Sequence, residues 1–224
     1  MLNLEKNFFK KRILIYGLGK SGLSTYSFLK KNNVISLFDD RVITKKKIKN
    51  THTTYNEIIK KEFDCIIISP GIDINKCKLS RFLKKNRKKI YTDLDIFYSQ
   101  YADNQKITIT GTNGKSTTAK LLYDILKDQK KDVRLVGNIG NPILLEKKIK
   151  KDTLFVIEAS SYQLEYSKLF KTNISLILNI SPDHLERHKT IDKYVSAKFK
   201  LIKNQSRNDI AILNTKNFYH QFWK

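Results

Sequence analysis

The chain has 224 residues and a hydrophobic fraction of 40%, enough for a buried core in one large or two small domains. Lys and Arg number 44 against 21 Asp and Glu, a net charge of +23, but the lysines are spread along the whole chain. No recognition helix, RNA-binding motif or zinc spacing accompanies them, so we expect no nucleic-acid partner and interpret them as a general lysine bias on solvated faces. A partial role in attracting anionic nucleotides stays open.

The cysteines and the apolar segments indicate a cytoplasmic protein. Cys65 lies in an apolar run and is expected in a buried strand, whereas Cys77 is expected to be partly exposed. Two cysteines at this spacing suggest neither a disulfide framework nor a metal knuckle, which fits a reducing compartment. The apolar run at residues 13–16 is too short for a signal peptide, and no long apolar segment follows, so we expect no membrane partner.

Strand and helix signals alternate along the chain, which predicts an α/β fold with mainly parallel sheets. The predicted strands are residues 12–16, 34–38, 63–69, 107–110, 133–136, 154–158, 174–178 and 210–213. The predicted helices are residues 22–30, residues 78–86, a helix that opens at residues 92–97 and one that begins at Lys115. We expect the helix at residues 92–97 to bridge two domains.

The first glycine motif, Gly17-Leu-Gly-Lys-Ser-Gly22, follows the first predicted strand. An acid pair, Asp39-Asp40, stands at the end of the next strand, and together they match a Rossmann-type dinucleotide fingerprint. Glycine motifs of this kind identify the fold better than the ligand, because the same turn can hold a nucleotide diphosphate other than NAD. An NAD-dependent oxidoreductase is therefore one alternative.

The second glycine motif predicts a phosphate-binding loop. A β-branched strand breaks into Gly111-Thr-Asn-Gly114, and Lys115 then opens a helix with apolar periodicity. Backbone N–H groups, the helix N-terminus and a lysine suit phosphate oxygens, and the hydroxyl after the lysine can contact Mg²⁺, so we predict ATP as the ligand. The common spacing would need glycine where Ile109 stands, so this loop is tighter; a glycine turn with a chance lysine is the alternative. The candidate loop residues are Gly111, Thr112, Asn113, Gly114, Lys115, Ser116 and Thr117.

Three further candidate residues lie downstream of this loop. Glu158 ends a predicted buried strand, and an acid at that point beside a phosphate loop is placed as a Mg²⁺ ligand would be. The alternative is that Glu158 caps a helix beginning at Ser160. His184 follows the next strand and could bind metal or substrate, although a lone histidine is usually structural. Composition alone does not distinguish Lys198 in so lysine-rich a chain.

Taken together, these segments resemble the Mur ligase family of peptidoglycan synthesis. The resembling stretches run in family order over nearly the whole chain: Gly17-Leu-Gly-Lys-Ser-Gly22, Asp39-Asp-Arg41, Ser69-Pro-Gly-Ile72, Asp93-Leu-Asp-Ile-Phe97, Thr110-Gly-Thr-Asn-Gly-Lys-Ser-Thr117, Gly137-Asn-Ile-Gly140, Glu158-Ala-Ser-Ser-Tyr-Gln-Leu-Glu165, Asn179-Ile-Ser-Pro-Asp-His-Leu-Glu-Arg187 and Ala197-Lys198. The stretches Ser69-Pro-Gly-Ile72 and Ser160-Ser-Tyr-Gln-Leu-Glu165 are most similar to the branch of the family that adds D-glutamate.

The resemblance implies a fold and a reaction. Residues 1–93 would form a Rossmann-like domain that binds a UDP-sugar, and residues 94–224 a P-loop-type central ATPase domain, incomplete at its C-terminal end. The implied reaction uses ATP to phosphorylate the carboxylate of UDP-N-acetylmuramoyl-L-alanine, and the amine of D-glutamate then attacks the acyl phosphate. ATP and two Mg²⁺ ions are the implied cofactors.

The resemblance also implies residue roles. Lys115 and Mg²⁺ would neutralise the charge that builds up during phosphoryl transfer. Ser116 and Glu158 would hold one Mg²⁺, while His184 and a carbamylated Lys198 would serve a second, because an ammonium would repel the ion. Five residues match family positions that hold the UDP-sugar: Ser21, Asp40, Arg41, Asn138 and Ser160.

The sequence departs from the family in length. Family chains continue well beyond residue 224, so we expect the domain that binds the incoming amino acid to be absent and the activity of this chain alone to be doubtful. A non-catalytic module that holds UDP-sugar or ATP without turnover is therefore the second alternative.

Overall fold

The computed structural model describes residues 7–41 and 52–214. These residues form two parallel sheets that follow one another along the chain, with helices on their faces. Strands covered on both faces should be uniformly apolar, and the all-buried β3 (Cys65–Ile68), with sequence Cys-Ile-Ile-Ile, shows this. The predicted α/β fold class is confirmed.

The first sheet has strand order β2-β1-β3-β4. Its strands are β1 (Arg12–Tyr16), β2 (Val34–Phe38), β3 (Cys65–Ile68) and β4 (Ile90–Tyr91). Its helices are α1 (Lys20–Leu29), α2 (Tyr55–Lys60) and α3 (Ser80–Lys85). The order places the carboxyl ends of β1 and β2 side by side, so the glycine turn after β1 meets the acid pair after β2.

The second sheet has strand order β6-β7-β5-β8-β9. Its strands are β5 (Lys106–Thr110), β6 (Val133–Gly137), β7 (Leu154–Glu158), β8 (Ile174–Ile177) and β9 (Ile210–Leu213). Its helices are α5 (Lys115–Asp128), α6 (Ser161–Glu165), α7 (Leu185–His188) and α8 (Ile191–Lys203). Strand β5 lies between β7 and β8, so the loops that follow these three strands meet at one edge.

Helix α4 (Asp93–Gln100) joins the two sheets, in line with the prediction of a bridging helix. Thr92 caps it in a capping box with Asp95. The fully buried Asp95 also accepts hydrogen bonds from the Ser167 hydroxyl and from the backbone N–H groups of residues 168–170. The carboxylate thereby fixes the joining helix to the segment that precedes β8 of the second sheet. The predicted boundary between residues 93 and 94 falls inside α4.

One apolar cluster continues through the joining helix from the first sheet to the second. It contains Ile13 of β1, Leu94 and Phe97 of α4, and Phe155 and Ile157 of β7. The rings of Phe97 and Phe155 meet edge to face, with centroids 4.8 Å apart. Because this cluster is shared, the two sheets are held by apolar burial as well as by the Asp95 hydrogen bonds.

The cysteines lie where the sequence placed them, with Cys65 buried in β3, Cys77 partly exposed and both thiols free. In the parts of the chain that the structure describes, no helix is both long and apolar enough to cross a bilayer.

Candidate functional site

The loop between β5 and α5 is a strand–turn–helix connection, as predicted. Gly114 is the residue before α5 and has φ +81°, a left-handed conformation that favours glycine. A Cβ at this position would meet only Leu178 Cδ1, at 3.6 Å, so this side of the loop is open. The first N–H groups of a helix have no partner within it, and here they border that open side. This arrangement suits an anion.

The side of the loop away from α5 is held by Asn179, which follows β8. Its backbone oxygen accepts from Thr112 N at 2.9 Å, its side-chain oxygen accepts from Asn113 N at 2.8 Å, and its amide donates to Asn113 O at 3.0 Å. Asn179 thus uses the loop's first N–H groups and leaves those nearer α5 for a ligand.

Lys115 and Ser116, the first residues of α5, direct their side chains to different partners. Lys115 Nζ lies 2.7 Å from the Thr112 carbonyl oxygen. Ser116 Oγ donates to Glu158 Oε2 at 2.8 Å, and Asn138 Nδ2 donates to Glu158 Oε1 at 2.7 Å. Glu158 is 1% exposed, so its carboxylate is held between a hydroxyl and an amide at the end of β7.

The donor set fits Mg²⁺ bound together with a phosphate. Mg²⁺ takes one or two carboxylates and completes its shell with water and phosphate oxygens. Ser116 and Glu158 offer a hydroxyl and a carboxylate at the loop. Within residues 7–41 and 52–214, no cluster of three or more His, Cys, Asp or Glu side chains is placed to hold a metal ion by itself. The alternative that Glu158 caps a helix is wrong, because the cap of α6 is formed by Ser160 and Gln163.

Lys198 lies on α8, and its side chain reaches the phosphate loop. Its Nζ donates to the Gly111 carbonyl oxygen at 2.7 Å and lies 4.5 Å from the centroid of the Tyr194 ring. The side chain is 1% exposed. Burial, and secondly the charge of Lys115, lower the pKa of Lys198 to about 7.

Tyr194 contacts the phosphate loop and both residues that were predicted to serve a second Mg²⁺, His184 and Lys198. The sequence did not lead us to predict Tyr194 as a site residue. Its hydroxyl is 3.1 Å from Thr112 Oγ1, and its ring contacts both Lys198 and the ring of His184. The sequence feature that could have identified Tyr194 is its position four residues before Lys198, which places both on the same helix face.

His184 has a partly exposed side chain beside two carboxylates. Its Nε2 is 3.4 Å from Asp183 Oδ2, and its Nδ1 is 3.7 Å from Glu186 Oε1. The residue has φ +53°, and its carbonyl oxygen accepts the first N–H bonds of α7. The backbone of His184 is therefore fixed at the start of α7, and its ring lies 6.3 Å from that of Tyr194, with acidic neighbours that suit a cation.

A second site lies at the glycine turn after β1. This turn belongs to the first unit, the part of the chain that forms the first sheet; the part that forms the second sheet is the second unit. A cavity of about 400 Å³ is bounded by that turn, by residues 39–41 and by residues 69–72, and it includes three predicted residues: Ser21, Asp40 and Arg41. Asp40 Oδ1 accepts from the Tyr16 hydroxyl at 2.6 Å. Asp39 accepts from Leu18 N at 2.6 Å and from Arg41 N at 2.9 Å, so backbone groups occupy both of its oxygens.

A neighbouring cavity of about 630 Å³ extends from this site toward Glu158. It shares Lys20, Ser21 and Pro70 with the first cavity and reaches Asn138, which holds Glu158. Gln163 also lines it and was missed, although it stands in the capping-box position of α6. The predicted residues Ser21 and Asn138 thus line the same cavity, whereas Ser160 lines neither cavity.

The fold and the site together define an α/β protein in which a Rossmann-like unit is followed by a unit with a loop of the kind that binds the phosphates of nucleoside triphosphates. The profile of the Mur ligase middle domain matches residues 109–224, and that of the MurD-like Mur ligase N-terminal domain matches residues 11–90. The chain belongs to the Mur ligase family, which confirms the resemblance drawn from the sequence.

Curated relatives agree with this assignment. The UDP-N-acetylmuramoylalanine--D-glutamate ligase of Rickettsia bellii is 35% identical over 215 residues, covering 94% of this chain and 47% of the relative. The enzyme of the same name from Elusimicrobium minutum is 38% identical over 218 residues, covering 92% of this chain and 48% of the relative. The chain thus spans about half the length of the curated relatives it matches.

Solved structures show the same fold. UDP-N-acetylmuramate:L-alanyl-gamma-D-glutamyl-meso-diaminopimelate ligase from Neisseria meningitides matches with a TM-score of 0.59 at 13% identity, covering 95% of this chain and 74% of that one. UDP-N-acetylmuramate-alanine ligase from Thermotoga maritima matches with a TM-score of 0.52 at 19% identity, covering 92% and 50%. At these identities the likeness concerns the fold alone.

Proposed function

We propose that this chain carries the UDP-sugar and ATP sites of a ligase that adds D-glutamate to UDP-N-acetylmuramoyl-L-alanine during peptidoglycan precursor synthesis. The observation that carries the proposal is the pair formed by Ser116 and the buried Glu158 beside an open phosphate loop. The printed names of the curated relatives support the choice of D-glutamate as the added amino acid.

The positions of the site residues support a role for each. Lys115, 2.7 Å from Thr112 O, is within a side-chain rotation of the loop's open side, where its charge would meet phosphate. Ser116 and Glu158 would hold Mg²⁺, and Asn138 orients Glu158. Bound ATP would supply the phosphoryl group that turns a carboxylate into an acyl phosphate with a good leaving group.

We propose a second cation position near His184 and Lys198. Its support is the shared contact of both residues with Tyr194 and the acidic neighbours of His184. An ammonium at Lys198 would oppose a cation, so Lys198 would have to be carbamylated: its neutral nitrogen attacks the carbon of CO₂ and loses a proton. The family resemblance supplies this expectation, and the burial of Lys198 against the loop supports it.

The two adjoining cavities, which share Lys20, Ser21 and Pro70 and reach from the glycine turn after β1 to Asn138, support a UDP-sugar as the other ligand. The uridine diphosphate would lie by Asp40 and Arg41, and the sugar would lead toward Glu158. NAD is less well supported, because the acid that would accept ribose hydroxyls in a dinucleotide site, Asp39, already accepts two backbone N–H groups.

Calorimetry on residues 1–224 tests the two sites separately. We expect binding of Mg²⁺–ADP and of UDP-N-acetylmuramoyl-L-alanine, and no binding of NAD. Mass spectrometry for the D-glutamyl amide, formed from ATP, Mg²⁺ and both substrates, tests the activity. Binding of NAD in place of the UDP-sugar would reject the proposed substrate, and product formed equally well by a Lys198→Ala variant would reject the role of Lys198.

A further inference from the structure

Arg187 forms a nearly buried bridge between the two units. It lies in α7 of the second unit, and its side chain is 7% exposed. Its Nε donates to Glu165 Oε2 at 2.8 Å, and its Nη2 donates to the carbonyl oxygen of Ile72, in the first unit, at 2.7 Å. The Ile72 contact joins residues 115 positions apart in the chain.

Aromatic rings hold the guanidinium in this position. Its carbon lies 5.2 Å from the centroid of the Tyr162 ring and 5.6 Å from that of Tyr166. Tyr166 itself belongs to the apolar cluster of the first unit, with Tyr16 and Phe38. A planar guanidinium that lies over two rings and is hydrogen-bonded at two nitrogens is fixed in direction, and a lysine could not reproduce this.

The acceptor of this bridge belongs to the turn that forms one wall of the first cavity. Ile72 lines that cavity, and its N–H donates to Ser69 O at 3.0 Å. Ser69 Oγ donates to the Gly17 carbonyl oxygen at 2.6 Å. The residue 69–72 turn therefore stands between Arg187 on one side and the glycine turn on the other, so a shift at Ile72 would change the shape of the cavity.

We propose that Arg187 is a positioning residue for the first unit's nucleotide cavity, although it lines neither cavity. It holds the 69–72 turn against the second unit and so gives the wall its ligand-binding shape. The inference deepens the proposed function and rests on it, because it names a residue of the second unit on which UDP-sugar binding in the first unit depends.

The test compares variants at the bridge by calorimetry with two probes, UDP-N-acetylmuramoyl-L-alanine and Mg²⁺–ADP. Loss of a hydrogen bond from a charged donor should weaken UDP-sugar binding by about tenfold or more in Arg187→Ala. Arg187→Lys should not restore it, since an ammonium cannot serve Glu165 and Ile72 in the same geometry. Binding of Mg²⁺–ADP should stay at the parental value in both variants.

Two matched controls separate positioning from general stability. Lys76→Ala removes an exposed contact across the same interface, from Lys76 Nζ to Glu186 O at 3.4 Å, and should leave both affinities unchanged. Glu165→Gln removes the ion pair but leaves the Ile72 hydrogen bond, so UDP-sugar binding should be retained. Thermal unfolding of each variant shows whether the fold is intact.

Hydrogen exchange gives a readout that needs no ligand. In the unliganded protein, amides of residues 69–74 should exchange faster in Arg187→Ala than in the parent or in Lys76→Ala. Parental exchange and parental UDP-sugar affinity in both Arg187 variants would overturn the inference, as would an equal loss of both affinities with a lower melting temperature. If the parent binds no UDP-sugar but the exchange difference appears, the proposed function fails and the positioning role stands.

Discussion

The chain contains two strand–turn–helix connections with the same Gly-Lys-Ser sequence, and the structure gives them different environments. Gly19-Lys20-Ser21 begins α1, and Gly114-Lys115-Ser116 begins α5. In each, the serine hydroxyl donates to a buried carboxylate. Ser21 Oγ is 2.5 Å from Asp93 Oδ2, and Ser116 Oγ is 2.8 Å from Glu158 Oε2.

The difference lies in what surrounds each turn. In the first, Gly22 lies against the backbone of Gly17, so a Cβ on Gly22 would lie 1.8 Å from the Gly17 carbonyl oxygen. The glycines of the two tripeptides are both uncrowded: a Cβ on Gly19 would meet nothing within 4 Å, and a Cβ on Gly114 would meet only Leu178 Cδ1, at 3.6 Å. Lys20 is exposed, whereas Lys115 folds back over its own loop. The two turns therefore differ at the residue after the tripeptide, which packs against backbone in the first turn, and in the lysine, which folds over its loop only in the second.

The largest effect expected from this comparison concerns the two lysines. Lys115→Ala should weaken Mg²⁺–ADP binding by about a hundredfold, because a charge-assisted contact to phosphate is lost. The fold should persist, because Lys115 Nζ bonds only a loop carbonyl. Lys20→Ala is the matched control and should leave ADP binding at the parental value. Calorimetry with both variants makes the comparison, and equal affinity in Lys115→Ala and the parent would remove the lysine from the site.

The glycines give the next effect, on stability. Gly22→Ala should lower the free energy of unfolding by about 2 kcal/mol, because the methyl group must displace backbone. Gly114→Ala meets no such contact and should cost about 1 kcal/mol from its left-handed conformation alone. Urea unfolding measures both. A larger loss in Gly114→Ala than in Gly22→Ala would show that the first turn is not the packed one.

The two carboxylates should differ in their response to magnesium. Glu158→Gln should weaken ADP binding about tenfold in the presence of Mg²⁺, because a neutral amide is a poor Mg²⁺ ligand, and should leave metal-free binding unchanged. Asp93→Asn, which changes the carboxylate of the first turn, should affect neither. ADP titrations with and without Mg²⁺ separate these outcomes, and a magnesium dependence that survives in Glu158→Gln would assign the ion elsewhere.

Sequence predicted the fold well where an element has a uniform pattern. For three strands, the predicted first and last residues are those of the structure: Arg12–Tyr16, Val34–Phe38 and Leu154–Glu158. The predicted helix at residues 78–86 is shorter in the structure, where turns precede Ser80–Lys85. Helices of four to six residues, such as Leu185–His188 and Tyr55–Lys60, were not predicted, because so few residues show no helical period.

Helix α8 was missed for a different reason. The core-facing stripe of Ile191–Lys203 contains the buried Lys198, so one position of its otherwise apolar pattern is a lysine. For the site, the meeting of Ser116 with Glu158 followed from strand order, since β5 and β7 are neighbours with Ile109 opposite Glu158. The Arg187–Ile72 bridge had no such signal, because it depends on how the two units lie against each other.

The smallest expected effect is a pH dependence specific to the first turn. Burial raises the pKa of Asp93 above its ordinary value of 3.8, although the Ser21 hydroxyl and the Leu94 N–H act against this. Between the ordinary and the raised pKa the native state keeps a proton that the unfolded chain has lost, so this group makes stability fall as pH rises through that window.

Asp93→Asn cannot ionise, so its stability relative to the parent should rise with pH there. Ser21→Ala removes a hydrogen bond that lowers the pKa, so it should widen the window and steepen the decline. Urea unfolding of the three proteins from acid to neutral pH measures these differences, and parallel stability curves for the parent and Asp93→Asn would mean that Asp93 titrates alike in the folded and unfolded chain.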